Sequence, residues 1–277
     1  MSDVAASVSA VVVDYHAFDV LSGCVRSLRE NGVRDIVVVE NGETGSTPRD
    51  LLGEATLVEP GVNLGYGRGV NRGAAATALT PYLLVSNPDV ELHADAVAHL
   101  LAALERSPSA GVAGPRILRP DGTVYPSHRV FPSVLLAGVH ALLAPLWPSN
   151  PATRRYRSRH ADGTVDWVSG ACFLIRRDVF ELVGGFDERY FMFAEDMSLC
   201  WEVGQAGYSV LAVDDAVVTH VEGVSRGRAT RSMVWAHHRS AFRFEVQSAQ
   251  GWRVLLLPVA GAVLGLRLVF TLLTRRS

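Results

Sequence analysis

The sequence predicts an α/β fold: a mostly parallel sheet flanked by helices, followed by a helical, membrane-associating C-terminal extension. Three observations carry this. Short apolar runs alternate with amphipathic helical patterns through the N-terminal half, the mark of strands and crossover helices packed in layers. Glycines, asparagines and acids gather directly after those runs, where open parallel sheets bind ligands. A long apolar stretch closes the chain, ending in Arg275 and Arg276.

Val8–Val13 reads as a buried strand. Asp19–Asn31 reads as a helix with Val20, Leu21, Cys24, Val25 and Leu28 on one face. Ile36–Val39 and Thr56–Glu59 are the next strands, Arg68–Leu79 a helix, Tyr82–Ser86 a strand and Ala94–Arg106 a helix. After Gly114 the pattern loosens, with a turn at Pro120-Asp121-Gly122-Thr123 and an apolar, proline-broken segment over 131–147. Strand signals return at Val165–Ser169 and Cys172–Arg176. Glu195–Ala206 reads as a helix, and Val210–Val213 and Val217–Thr219 as strands. The expected division is a 1–225 catalytic domain and a 226–277 helical segment.

Composition narrows the function. The formal net charge of −2 gives no reason to expect a nucleic-acid partner. The three cysteines, Cys24, Cys172 and Cys200, form no C-x-x-C pair, which argues against a zinc knuckle or a disulfide framework. All 26 basic residues are arginine, so no Schiff-base or P-loop lysine is available. Residues 1–7 lack the basic and apolar regions of a signal peptide, and a cytoplasmic setting is expected.

Six groups follow strand ends or helix starts. Asp14-Tyr15-His16 and Glu40-Asn41-Gly42 end the first two strands. Such acids accept hydrogen bonds from a base or ribose, or simply close a polar turn. The stretch Asn63–Gly73 holds Gly65, Gly67, Gly69 and Gly73 at a helix start. Val70 and Arg72 break the G-x-G-x-x-G pattern and the loop follows the third strand, against a nicotinamide oxidoreductase. What remains is a ligand loop or a closely packed helix start. Asn87-Pro88-Asp89 offers a carboxylate suited to a divalent cation, although the tripeptide is also ordinary turn chemistry. Gly184–Asp196 leads through an aromatic run to Glu195 and Asp196 at a helix start. The dipole there favours carboxylates, and the aromatics would keep water from a general base. His220 follows the last strand. Four of the six asparagines, Asn41, Asn63, Asn71 and Asn87, lie in these loops.

Taken in order, VVVDYHAFDVLSGCVRSL, IVVVENG, NLGYGRGVNRGAA, YLLVSNPDVEL, VSGACFLIRRDVFELVGGFDERYFMFAEDMSLCWEVGQAGY and THVEGVS resemble the family 2 glycosyltransferases of the GT-A fold. Within them the chain is similar to bacterial rhamnosyltransferases of cell-wall linker and O-antigen synthesis. The resemblance implies an inverting hexosyltransferase that uses Mg²⁺ or Mn²⁺. Tyr15 and Glu40, the latter where the family more often has aspartate, would face the nucleotide base. Gly65 and Asn71 would lie along the nucleotide. Asn87-Pro88-Asp89 would be a D-x-D variant with Asn87 in place of the first acid and Asp89 as metal ligand. His220 would stand near metal and diphosphate. Asp196 would be the catalytic base, with Trp167, Gly170, Ala171 and Glu195 lining the acceptor pocket. The implied donor is dTDP-L-rhamnose and the acceptor N-acetylglucosaminyl-diphosphoryl-polyprenol. Galactofuranosyl or mannosyl transfer, or a non-catalytic nucleotide-sugar-binding protein, are the alternatives.

Val254–Leu266 is a run of 13 uncharged residues, too short alone to span a bilayer. Arg253, Arg267, Thr271 and Thr274 share one stripe of a continuous helix. A helix lying in the membrane interface is expected, placing the protein peripherally on the inner face of the cell membrane; the alternative is packing on the core. Arg154, Arg155, Arg157 and Arg159 would meet anionic headgroups or a lipid diphosphate, or form a solvated basic loop.

Overall fold

The computed structural model describes residues 3–131, 147, 150–156, 158–160, 162–221 and 231–274. After the one-turn helix α1 (Val4–Ser7), strand β1 (Val8–Asp14) is buried along its whole length. Its side chains alternate between two cores, with Val8, Ala10 and Val12 in one and Val11 and Val13 in the other. A strand buried on both faces is mostly apolar; here only Ser9, bonded to the Ala78 carbonyl and the Thr80 hydroxyl, and the terminal Asp14 are polar. Helix α2 (Phe18–Glu30) covers the first face with Leu21, Cys24, Val25 and Leu28.

The remaining strands are β2 (Asp35–Glu40), β3 (Thr56–Val58), β4 (Tyr82–Ser86), β5 (Val90–Leu92), β6 (Ala110–Leu118), β7 (Val124–Tyr125), β8 (His128–Arg129), β9 (Thr164–Val165), β10 (Trp167–Val168), β11 (Cys172–Arg176) and β12 (Ser209–His220). The main sheet runs β3-β2-β1-β4-β11-β6-β12-β5, with β7 on β6 and β9 on β12. It is parallel through β3, β2, β1 and β4, and β6 pairs parallel with β12. Strand β11 runs antiparallel between β4 and β6, and β5 antiparallel to β12, so the sheet is mixed beyond β4. Strands β8 and β10 form a separate antiparallel pair.

Helices α3 (Tyr66–Ala74) and α4 (Ala96–Arg106) cover opposite faces of the sheet. Helix α3 lies so close that a Cβ on Gly73 would stand 2.5 Å from Val11 Cγ1 and 2.8 Å from Val39 Cγ2. It stops at Ala74, short of the expected Leu79. There Thr77 Oγ1 donates to the Ala74 carbonyl at 2.8 Å, and Arg177 binds Thr77, Ala78 and Thr80, so side chains take over the backbone's bonding. The helices α5 (Pro151–Tyr156), α6 (Arg177–Leu182) and α7 (Glu195–Gln205) follow, α7 packing near β10 and β12.

Two further helices form the C-terminal part. Helix α8 (Arg231–Ser248) leans on α7 and carries Phe244 into a small cluster with Tyr190 and Ala194. A 3₁₀ turn at Gly251–Leu256 leads into α9 (Leu257–Thr274), which packs on α8. The helix continues through Arg267, so the apolar stretch is longer than its uncharged run: the 24 residues Gly251–Thr274, with an 18-residue window of mean hydropathy 2.1, are long and apolar enough to cross a membrane by length and composition. Only Ala260 of α9 is buried, while Leu255, Leu266, Phe270 and Leu273 stand outside. Most of the 131–147 segment, Arg157, residues 222–230 with the 225/226 boundary, and Arg275 and Arg276 lie outside the described residues.

Candidate active site

The parallel strands β1, β2 and β4 end at one side of the sheet, and their C-terminal loops open on a cavity of about 710 Å³. The first wall comes from these loops. Tyr15 lines it, half-exposed, just before a left-handed His16 (φ 55°) turns the chain. Asn41 and Asn63 knit the glycine loop. Asn41 Nδ2 donates to Asn63 Oδ1 (3.2 Å) and the Gly65 carbonyl (3.1 Å), Leu64 N–H donates to Asn41 Oδ1 (2.8 Å), and Gly65 N–H donates to Asn63 Oδ1 (2.9 Å). Gly65, at φ 83°, has no room for a Cβ, which would fall 2.2 Å from the Phe191 carbonyl oxygen. That carbonyl accepts from Tyr66 N–H at 3.1 Å, fastening the loop to the aromatic run. Gly69 and Gly73 serve α3's packing on β1 instead, so the glycine stretch is both things the sequence left open.

Glu40 and Asn71 lie off the cavity's lining. Burial alone would raise the Glu40 carboxyl, but bonds from Ser46 and Thr47 hold it below the usual carboxylate range. Oε1 accepts from the Ser46 N–H (2.7 Å) and hydroxyl, and Oε2 from Thr47 N–H (3.1 Å). Glu40 thereby shapes the 43–47 loop. Asn71 clasps the glycine turn before the aromatic run: its Nδ2 donates to the Phe186 carbonyl and its Oδ1 accepts from Phe186 N–H, both at 2.9 Å.

A second wall holds Asn87, Asp89 and His220. Asn87 N–H donates to the Ala171 carbonyl at 2.8 Å. Pairing of β5 with β12, and the Val221 N–H bond to the Asp89 carbonyl, bring Asp89 and His220 together. His220 Nε2 lies 3.1 Å from Asp89 Oδ1, both side chains under a tenth exposed. Yet Asp89 Oδ1 and His220 Nδ1 make no hydrogen bond. Buried polar atoms are seldom left so. One carboxylate and one imidazole suit Mg²⁺ or Mn²⁺ completed by phosphate oxygens and water. The residues therefore fit a divalent cation, although the described residues hold no group of three or more His, Cys, Asp or Glu side chains that would cage one unaided.

The third wall is built on α7. Phe193 and Ala194 both have left-handed backbones (φ 68° and 62°) immediately before Glu195 and Asp196. Non-glycine residues pay for that conformation, and such turns persist where the surroundings enforce them. Asp196 Oδ2 accepts from Gly170 N–H and Oδ1 from Met197 N–H, each at 2.8 Å. Burial pushes its carboxyl above the usual range against these bonds and the nearby Arg129 charge. Trp167, Gly170 and Ala171 line the cavity with Glu195. Tyr66 joins the walls: its hydroxyl donates to the Gly170 carbonyl at 2.6 Å. Burial, with Glu195, Asp196 and Asp89 nearby, keeps that phenol protonated far above its ordinary range.

Sequence reasoning missed Arg129. Its guanidinium lies 5.1 to 5.6 Å from the ring centroids of Tyr125, Tyr156 and Trp167 and bonds the Pro126 carbonyl at 2.7 Å. The cage comes from four separate segments, and no local pattern announces it. Arg159, by contrast, is spent on Asp214 through two bonds of 2.6 and 2.7 Å. Arg154 and Arg155 are exposed on α5.

Residues 9–184 match the family model described as Glycosyl transferase family 2. The chain is 40% identical over 233 residues to the N-acetylglucosaminyl-diphospho-decaprenol L-rhamnosyltransferase of Mycobacterium tuberculosis, spanning 78% of this chain and 76% of that one. Among solved structures, the mannosyltransferase PcManGT from Pyrobaculum calidifontis, in complex with GDP-Man and Mn²⁺, superposes with a TM-score of 0.60 at 16% identity, covering 98% of this chain and 76% of its own. GalNAc-T7 with UDP, GalNAc and Mn²⁺ gives 0.57 at 17% identity, over 88% of this chain and 51% of that one. At such identities the two structures speak for the shared fold.

Proposed function

This chain belongs to glycosyl transferase family 2 and is a glycosyltransferase, and from that premise we propose that it moves L-rhamnose, with inversion, from dTDP-L-rhamnose to N-acetylglucosaminyl-diphosphoryl-polyprenol. The reaction rests on one geometric observation. A single cavity is lined by the Asp89–His220 pair and by the amide-bound carboxylate of Asp196. The substrates follow from the 40% identity to the mycobacterial rhamnosyltransferase.

Tyr15 stacks on the nucleotide base, on the loop that Glu40 shapes, while Gly65 brings backbone close to the nucleotide and Asn71 secures the helix behind it. Asp89 and His220, beside Asn87, would hold a divalent cation, which when bound would offset the negative charge of the leaving diphosphate. Asp196 takes the proton from the acceptor hydroxyl as that oxygen attacks the anomeric carbon from the face opposite the diphosphate. Gly170 and Met197 N–H groups fix the direction of its lone pairs. Trp167, Gly170, Ala171 and Glu195 hold the acceptor sugar. The exposed apolar arc of α9 attaches the enzyme peripherally to the inner face of the cell membrane, where a polyprenyl-linked acceptor would be presented at the lipid surface.

The test is a screen of purified protein against dTDP-rhamnose, UDP-galactofuranose, GDP-mannose and UDP-glucose with the lipid acceptor, reading released nucleoside diphosphate. Acceptor-dependent release from dTDP-rhamnose is the expected result; release from another donor alone would replace rhamnose in this reading.

A further inference from the structure

Beside the cavity opens a groove of about 240 Å³, formed where α8 meets α9. Phe193, Met233 and His237 line both spaces, so the two are continuous. The rest of the groove is Val234, His238, Arg267 and Thr271. Among the described residues that line it there is no acid, Glu195 and Asp196 included.

Three observations mark it as an anion site. His238 is 7% exposed and donates from Nδ1 to the Val234 carbonyl at 2.8 Å, while its Nε2 is buried with no partner. A buried ring nitrogen is seldom left without a partner unless a ligand supplies one. Arg267 forms no ion pair among the described residues, yet it stands in an apolar helix beside Leu266 and Phe270, 73% and 67% exposed. A guanidinium so placed at a lipid interface is free to meet an anionic phosphate. The third is mutual repulsion. Burial, His238 and Arg267 all hold the His237 imidazole below its ordinary pKa. His237 therefore favours its neutral form, and Arg267 supplies the groove's positive charge.

We infer that this groove binds the diphosphate of the lipid-linked acceptor, Arg267 and His238 gripping its oxygens while the sugar enters the cavity toward Asp196. The polyprenyl chain leaves along the exposed arc of α9, where Leu266, Phe270 and Leu273 would carry it into the membrane. The assignment rests on the lipid acceptor proposed above. It explains why one helix is both the most apolar of the long helices and, among the described residues, the bearer of an unpaired arginine beside the cavity.

Arg267→Gln tests it, with Arg267→Lys as the conservative partner and His238→Gln as a second probe. Each is assayed in neutral detergent micelles with two acceptors, N-acetylglucosaminyl-diphosphoryl-polyprenol and an alkyl N-acetylglucosaminide without diphosphate. Hydrogen bonds to charged groups are worth about 1.5–3 kcal/mol, roughly 10- to 150-fold in affinity. The ratio of kcat/KM between diphosphate and alkyl acceptors should fall about tenfold or more in Arg267→Gln, through KM, and recover in part in Arg267→Lys. Equal losses on both acceptors, or none, would overturn the assignment. So would a variant that loses only anionic-liposome binding, which would make Arg267 a bulk headgroup contact. A wild-type protein that transfers to neither acceptor would overturn the underlying function instead, a result the ratio cannot mimic.

Discussion

Asp196 receives two backbone N–H bonds, so its direction is set before any substrate arrives. Asparagine at this position has one oxygen to offer two N–H groups, and leaving one without an acceptor costs about 1–3 kcal/mol. Asp196→Asn should therefore fold with slightly lowered Tm and still bind donor. A positioned general base contributes ~10²–10⁴-fold, and kcat should fall by that much; retention of half the wild-type rate would remove Asp196 from this role. The pH profile carries a second test. Burial raises the Asp196 carboxyl and the Arg129 charge lowers it, so the acid limb of kcat/KM should lie above the ordinary carboxylate range. Removing the charge in Arg129→Gln favours the protonated carboxyl and should move that limb to higher pH; an unmoved limb would uncouple the two residues. For Asp89, substitution by alanine should weaken donor binding measured with Mn²⁺ present, and chelation should silence the wild type. Full activity in excess chelator would make Asp89 a turn residue.

The elements show how much of this was legible. Strands β1, β2 and β4 read clearly because both faces are buried and their central residues are almost all apolar, and the polar groups at and after their ends marked the site. Strand β6 did not. Its Gly111, Gly114 and Pro115 interrupt the apolar pattern and no strand reads there, although a Cβ on Gly114 would strike Val168 at 2.5 Å and one on Gly111 would stand about 3 Å from Val179. The glycines answer to neighbours that sequence periodicity cannot see. The strand signals at Val210–Val213 and Val217–Thr219 belong to one strand, whose irregular register around Asp214 and Asp215 hid its continuity. The Arg129 cage and the α8–α9 groove escaped for the same reason, since their partners meet only in three dimensions. Gly65 supports a prediction at this scale. Gly45 has a matching φ of 82° but open space around its Cβ, whereas Gly65 has both the left-handed backbone and the Phe191 carbonyl in the way. Gly45→Ala should show backbone strain alone, about 1 kcal/mol. Gly65→Ala should cost more, lower Tm further in thermal unfolding, and raise the donor KM as the loop parts from the aromatic run. Equal effects would mean that the loop yields without disturbing the site.

At the scale of the molecule, α9 is the element whose place decides how the enzyme meets its substrate. Its inner side, with buried Ala260 and half-buried Leu257, Leu264 and Leu268, packs on α8, while the opposite arc is bare. Its 18 residues rise ~27 Å at about 1.5 Å each, long enough to cross a bilayer. But crossing would require lipid on all sides, and one side is occupied by α8 with Arg267 turned into the groove. We therefore expect the helix to lie in the interface. A chain ending at Gln250 keeps every residue of the catalytic cavity and loses a helix that buries one residue of its own, so it should unfold with a Tm close to the full chain's. The truncated protein should stop co-sedimenting with anionic liposomes. It should still transfer to an alkyl glycoside while failing on the polyprenyl acceptor. Each exposed Leu or Phe that enters lipid contributes about 1.5–3 kcal/mol, a gain that salt does not screen. Full-length protein should accordingly stay bound at moderate salt. Release by salt alone would reduce the attachment to arginines and headgroups. Aggregation or unfolding of the truncated chain would place α9 in the core, and the exposed arc would then need a protein partner instead of a membrane.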